Sequence, residues 1–222
     1  QLFVAEGRKT IEELLDSHFK LYQLYSITSE MDVPDDFSTI ITPNELSRIS
    51  FLKTPNKALA LFHIPEPQKI DKGKLVVGLD TVRDPGNLGT IIRLCDWFGV
   101  KDLICNSETV DCYNPKVIQS TMGSIARVNV SYDNLESVLK EWESPIYGAF
   151  MDGESIYEQP YVEKGILILG NEANGISEGV EQLITNRIAI PRFGTLKKTE
   201  SLNVANATAI LLSEFKRRSI GK

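Results

Sequence analysis

The sequence predicts an α/β fold: a mainly parallel, Rossmann-like sheet preceded by a small α/β domain. Three observations carry that prediction. After residue 68, short apolar runs alternate with amphipathic helical segments, the pattern of strands joined by crossover helices. Leu75–Leu79 is apolar throughout, as suits a strand covered on both faces. Pro65-Glu66-Pro67 interrupts the pattern and reads as a linker, which divides the chain into 1–68 and 69–222.

The front unit begins with a helix over Glu6–Leu15, where Ile11, Leu14 and Leu15 share one face. Leu21–Ile27 is a strand. Met31–Phe37 is acidic, carries Pro34 and forms a loop. Thr39–Ile41 is a short strand. Thr42 and Glu45 then make a capping box with Pro43 at the first helical position, so a second helix starts there. Ser50–Lys57 is a polar loop and Ala58–Phe62 a further strand.

In the second unit the strand Leu75–Leu79 leads to a helix over Asn87–Phe98. Leu88, Ile91, Ile92 and Cys95 lie on one face of it, and Gly99 ends it. Asp102–Cys105 is a strand, Pro115–Ser120 a helix, Arg127–Val130 a strand. Asp133–Trp142 is a helix with Leu135, Val138, Leu139 and Trp142 facing inward. Pro145–Phe150 and Ile166–Leu169 are strands, Ser177–Ile184 a short helix, Arg187–Ile190 the last strand. Leu202–Phe215 is the closing helix, apolar over more than one face and so buried on several sides.

Composition sets bounds. At 222 residues, 42% hydrophobic and 24% charged, the chain can bury a real core as an ordinary globular protein. No apolar run is long enough to cross a bilayer, and the first residues do not resemble a signal peptide. A net charge of −6 argues against a broadly basic surface that coats nucleic acid. Local basic clusters remain: Lys197-Lys198, Lys216-Arg217-Arg218, Arg8-Lys9 and Lys53 with Lys57. Each alone is equally well read as a solvated face. The three cysteines, Cys95, Cys105 and Cys112, show no CxxC spacing, so neither zinc site nor disulfide frame is expected and a reducing cytoplasm is the simplest home. His18 and His63 have no ligand-like neighbours, so no metal is expected.

Three polar loops leave strand ends, where open α/β sheets bind their ligands. In Asp80–Gly89, Pro85-Gly86 makes the turn, Asn87 caps the helix and Gly89 permits close approach; Arg93 follows within two turns. A helix N-terminus of this kind accepts an anion, although a capped helix with a surface arginine reads the same way. Neither GxxxxGK[ST] nor GxGxxG occurs. In Leu169–Ser177, Gly170 removes bulk where a ligand could pack, Asn171 and Glu172 set a carboxamide and a carboxylate at the strand end, Gly175 suits a positive-φ turn and Ser177 caps the next helix. The third stretch runs from Ile188 through Pro191 to Gly194 and on through Thr199–Asn203. It closes a strand and places Glu200, Ser201 and Asn203 at a helix mouth.

These motifs resemble a known family. Asp84-Pro-Gly-Asn-Leu-Gly-Thr-Ile-Ile-Arg93, Gly170-Asn-Glu-Ala-Asn-Gly-Ile-Ser177 and Ile190-Pro191 with Ser201-Leu-Asn-Val204 look like the three ordered motifs of the SpoU (TrmH-type) RNA 2′-O-methyltransferases of the SPOUT class, over residues 75 to 215. Phe3–Arg8, Leu46–Ser50 and Lys53–Ala60 are similar to the family's small RNA-binding domain, which is like ribosomal protein L30e; its first strand-forming residues are read as absent here. The resemblance implies a deep C-terminal trefoil knot that binds S-adenosylmethionine, and a cytoplasmic homodimer whose site is completed across the interface. It implies cofactor contacts from Gly170, Ile190 and Leu202, largely through backbone. It assigns catalysis and RNA handling to Asn87, Arg93, Glu172, Ser201 and Asn203. Two positions depart from the pattern: Arg192 stands where methionine is frequent, and Asn206 where a small or apolar residue is common.

The implied reaction is attack of a ribose 2′-oxygen on the methyl group of the cofactor. With no histidine at the motifs, proton handling falls to Arg93, Glu172 or Ser201. An arginine is always charged, so Arg93 is expected to clamp RNA phosphate rather than take the proton. Asn87 and Asn203 would orient ribose and loops. The L30e-like unit favours ribosomal over transfer RNA as the substrate. The competing expectations are a non-catalytic RNA-binding protein on the same fold, an oxidoreductase on a Rossmann sheet, and a base methyltransferase.

Overall fold

The computed structural model describes residues 1–158, 164–194 and 201–217. Two sheets organise them. The first has strands β1 (Leu2–Glu6), β2 (Leu21–Ser26), β3 (Ser38–Ile40) and β4 (Ala58–His63) in the order β1-β4-β2-β3. Helices α1 (Arg8–Leu15) and α2 (Pro43–Ile49) flank it. β1 corrects the expectation that this strand is missing. Phe3 and Ala5 point inward and the strand pairs antiparallel with β4 in unbroken register from Leu2 to Glu6. The capping box at Thr42 and Glu45 is formed as expected.

The second sheet is wholly parallel, with β5 (Leu75–Leu79), β6 (Asp102–Cys105), β7 (Asn129–Tyr132), β8 (Ile146–Ser155), β9 (Gly165–Leu169) and β10 (Asn186–Ala189) in the order β10-β8-β9-β5-β6-β7. The chain starts at β5, builds outward through β6 and β7, then continues on the other side. The order therefore switches between β5 and β9, where two loops part and a crevice opens.

Helices cover both faces. On one, α3 (Pro85–Trp97) and α7 (Val204–Arg217) bury Leu88, Ile91, Ile92, Leu211 and Leu212. Each such side chain contributes about 1.5–3 kcal/mol of burial. On the other, α5 (Leu135–Lys140) and α6 (Glu178–Glu181) pack over Val76, Ile104, Ile166 and Ile168. Helix α4 (Pro115–Thr121) lies against α3, and Gly89 permits that contact, since a Cβ there would meet the Val117 carbonyl oxygen at 2.9 Å. The close approach at Gly89 is thus helix to helix.

The two units share one core. Phe3 of β1 lies 4.9 Å from the Tyr113 ring, and Arg127 pairs with Glu13 of α1 at 2.5 Å and with Asp96 of α3 at 2.9 Å. Arg127, read from sequence as the start of a strand, instead follows a short 3-10 turn at Ser124–Ala126, and β7 starts at Asn129. Lys197, Lys198, Glu200 and Arg218 lie outside the described residues.

Candidate active site

The site is built on the ends of β5 and β9. Past Leu79 the chain places Asp80, only 2% exposed, under both loops. One oxygen of its carboxylate accepts from Asn106 Nδ2 at 2.8 Å and the other from the Ser177 backbone N–H at 2.7 Å. Thr81 takes a left-handed φ of 65°, held by a bond from its N–H to Asn106 Oδ1 and by its own carbonyl, which accepts from Asn171 Nδ2 at 2.8 Å. A buried carboxylate requires such partners, so Asp80 fixes the loops to each other.

The helix α3 starts two residues earlier than its periodicity suggests. Asp84, not Asn87, is the cap: its carboxylate accepts from the Asn87 N–H at 2.8 Å, with Pro85 at the first helical position. This correction matters, because it releases the Asn87 side chain.

In the second loop Asn171 Oδ1 accepts from the N–H groups of Ala173 and Asn174, and Asn171 and Gly175 exchange both backbone bonds at 2.9 and 2.8 Å. Gly175 has a φ of 70°, as its turn position demands. Gly170 has a second role beside the one its sequence context suggests. A Cβ there would collide with the backbone of Gly175 and Ile176, so the glycine lets the loop close on itself. Ser177 precedes α6 but its side chain makes no capping bond.

The three loops meet in one chain of hydrogen bonds. Asn203 Oδ1 accepts from the N–H groups of Ala205 and Asn206 and so caps α7. That leaves its Nδ2 to donate to Asn87 Oδ1 at 2.9 Å, and Asn87 Nδ2 donates to Glu172 Oε1 at 2.5 Å. Each amide orientation follows from its neighbour, since the backbone N–H groups can only donate and a carboxylate can only accept.

Two openings flank this chain. One is a cavity of about 490 Å³, floored by Leu169, Ile188, Val204 and Leu211 and rimmed by Glu172 and Ser201. Gly170, Ile190 and Leu202 also line it. The other is a shallower cleft of about 370 Å³, where Asn87 and Asn203 meet Arg93. The structure thus brings Gly170, Glu172, Ile190, Ser201 and Leu202 to one opening and Arg93 to the other, with Asn87 and Asn203 between. Arg93 is exposed and makes no hydrogen bond or ion pair among the described residues. Also among the described residues, no three His, Cys, Asp or Glu side chains gather as a metal site needs, and no helix is long and apolar enough to cross a membrane.

The model of the SpoU rRNA Methylase family matches residues 74–213. The chain belongs to that family. Its relatives include the 23S rRNA (guanosine(2553)-2′-O)-methyltransferase RlmP of Bacillus subtilis, 32% identical over 219 residues that span 95% of this chain and 86% of that protein. A putative RNA methyltransferase of the TrmH family from Porphyromonas gingivalis superposes with a TM-score of 0.89 at 39% identity, covering 98% of this chain and 90% of that one. An AdoMet-bound rRNA methyltransferase from Sinorhizobium meliloti gives 0.86 at 27% identity, covering 99% and 88%. The hydrogen bonds under the loops also involve two residues that the motifs do not single out. Asp80 and Asn106 end adjacent strands and tie two motifs together, and their only sequence signal is a polar residue directly after each apolar run.

Proposed function

We propose that this SpoU-family chain is an S-adenosylmethionine-dependent methyltransferase that modifies a ribose 2′-hydroxyl of ribosomal RNA. The observation that carries it is the Asn203–Asn87–Glu172 chain, which sets one carboxylate at the mouth of an apolar cavity at the sheet's switch point. The cavity suits the cofactor. Its volume of about 490 Å³ lies within the range of small-molecule sites. Its apolar floor matches an adenine ring, and Glu172 at the rim matches a sulfonium cation. Gly170, Ile190 and Leu202 would hold the ligand there. Bound in this cavity, S-adenosylmethionine supplies an electrophilic methyl group.

The chain's own residues supply the rest. Asn87 and Asn203 fix Glu172, whose other carboxylate oxygen makes no hydrogen bond among the described residues and can receive the proton of the 2′-hydroxyl. Arg93 keeps its guanidinium free for an RNA phosphate and for the charge that grows on the 2′-oxygen. Ser201 at the rim contacts the ribose. Since Arg93 and Glu172 face different openings of one chain, the site is completed by a second copy in a homodimer. The trefoil knot belongs to the same proposal; the segment that would thread it includes residues 195–200, outside the described residues.

The front unit, residues 1–68, binds the RNA. Buried Glu6 accepts from Ser50 Oγ and from the Phe51 N–H at 2.8 Å, and so holds out the Phe51 ring, 66% exposed. Arg48, Lys53 and Lys57 lie close to it in sequence, none in an ion pair among the described residues. A fixed aromatic face among free cations suits an unpaired RNA loop. The name and coverage of the Bacillus subtilis relative support large-subunit ribosomal RNA, hence a cytoplasmic site of action. Mapping 2′-O-methyl groups in RNA from cells with and without the gene tests this: one ribosomal ribose loses its methyl group in the deletion. A lost base methyl group, or no change, would refute it.

A further inference from the structure

The strands β8 and β10 run in register up to Arg187, which pairs with Gly148; the next residue, Ile188, pairs with Glu154. Residues 149–153 are therefore looped out of the ladder against no counterpart. The first three, Ala149, Phe150 and Met151, form a wall of the 490 Å³ cavity. A bulge beside a ligand cavity re-aims a strand, but its own backbone has lost its partners and needs another restraint.

Arg187 stands at the break and provides one. Its guanidinium carbon lies 3.6 Å from the centroid of the Phe150 ring. One terminal nitrogen donates to Asp152 at 2.8 Å and the other to Glu181 of α6 at 2.5 Å. The side chain thus spans two residues of the bulge and one of the neighbouring helix. The planar fork does this in a single conformation, which a lysine cannot copy. On the far side of the bulge, Gly153 runs so near β10 that a Cβ would meet the Ile188 backbone at 2.6 Å, so the wall cannot settle in that direction.

The geometry points to Arg187 as a positioning residue that braces the bulge and thereby sets cofactor affinity, without touching the reacting atoms. The inference rests on the proposal that this cavity takes S-adenosylmethionine. Removing the brace loosens a wall of the binding site and leaves Glu172, Asn87 and Arg93 as they are. The effect therefore falls on cofactor KM and not on turnover at saturation.

The test is calorimetric titration of the full chain with S-adenosylhomocysteine, beside cofactor KM and kcat and the unfolding temperature. For Arg187→Ala the Kd rises about tenfold, with kcat at saturating cofactor within about twofold of the parent. Arg187→Lys falls between the two. Asp152→Asn removes one exposed contact and weakens binding about twofold to threefold. Parent binding with an unchanged Kd in Arg187→Ala overturns the brace, as does a loss confined to kcat. If the parent chain binds no S-adenosylhomocysteine, the cofactor assignment fails and the brace falls with it.

Discussion

The two openings of the site are built in opposite ways. At the cavity mouth the amides and carboxylates are bound to one another: Asn203 to Asn87, Asn87 to one oxygen of Glu172, Asn171 to Thr81, and Asp80 to both loops. In the cleft beside it, Arg93 is bound to nothing among the described residues, although Arg8, Arg83, Arg127, Arg187 and Arg217 all form ion pairs. In an acidic chain carboxylates are plentiful, and most arginines find one. The contrast is that the carboxylate side is fixed by its neighbours, while on the proposed reading the arginine side is kept for an anion. A group held by neighbours contributes to stability as well as activity; a group left free contributes to activity alone.

Substitutions break this comparison in a definite order. The largest effect is expected from Arg93→Ala, with turnover falling about 10³-fold. Cofactor affinity and the melting temperature stay at parent values, because Arg93 makes no hydrogen bond or ion pair among the described residues. A fall in melting temperature would show that the arginine is not free. The next effect concerns where its partner site lies. Arg93→Ala and Glu172→Gln, each inactive alone, are expected to regain activity when mixed and allowed to exchange subunits, because one site of the mixed dimer then holds both intact residues. No recovery would place both groups in one chain's site. A smaller effect is expected on the wired side: Asn87→Ala lowers turnover about tenfold and stability by about 1 kcal/mol, since two hydrogen bonds vanish together. Urea unfolding beside kinetics checks it.

The smallest effect concerns groups that belong to neither opening. Cys95, Cys105 and Cys112 are all buried. Burial pushes the Cys95 and Cys112 thiols up to about 12, so thiolate is scarce at neutral pH. A thiol reagent is expected to leave the native chain and its activity unchanged, and to label three cysteines only after unfolding.

The parallel sheet was legible in the sequence because its strands are apolar runs that need no partner to be recognised, and β5 keeps the predicted bounds Leu75–Leu79. The candidate site residues were legible because three short motifs carry them. What escaped depends on contacts across the chain. Asn87 reads as a cap until Asp84 is seen to occupy that place, and only then can its amide reach Glu172, 85 residues away. Gly170 reads as room for a ligand, and its second task, letting the backbone of Gly175 approach, shows only in the fold. β1 is a five-residue strand made recognisable by pairing with β4, and β8 runs on to Ser155 through polar residues that no strand pattern would include. The buried Asp80 gives one polar letter after an apolar run, and the partners of its carboxylate among the described residues, Thr81, Asn106 and Ser177, come from turn or distant residues. Sequence thus reports the periodic elements and the motif letters, while the bonds that assemble a site are set by topology.

Methyl transfer to a defined RNA tests the central claim most directly. Purified chain, methyl-labelled S-adenosylmethionine and ribosomal RNA from cells lacking the gene are incubated, and the RNA is digested to nucleosides and resolved by mass spectrometry. Label is expected in a single 2′-O-methylribonucleoside, absent when Arg93→Ala replaces the parent chain. Label in a methylated base, or none with the parent chain at saturating cofactor, would contradict the account.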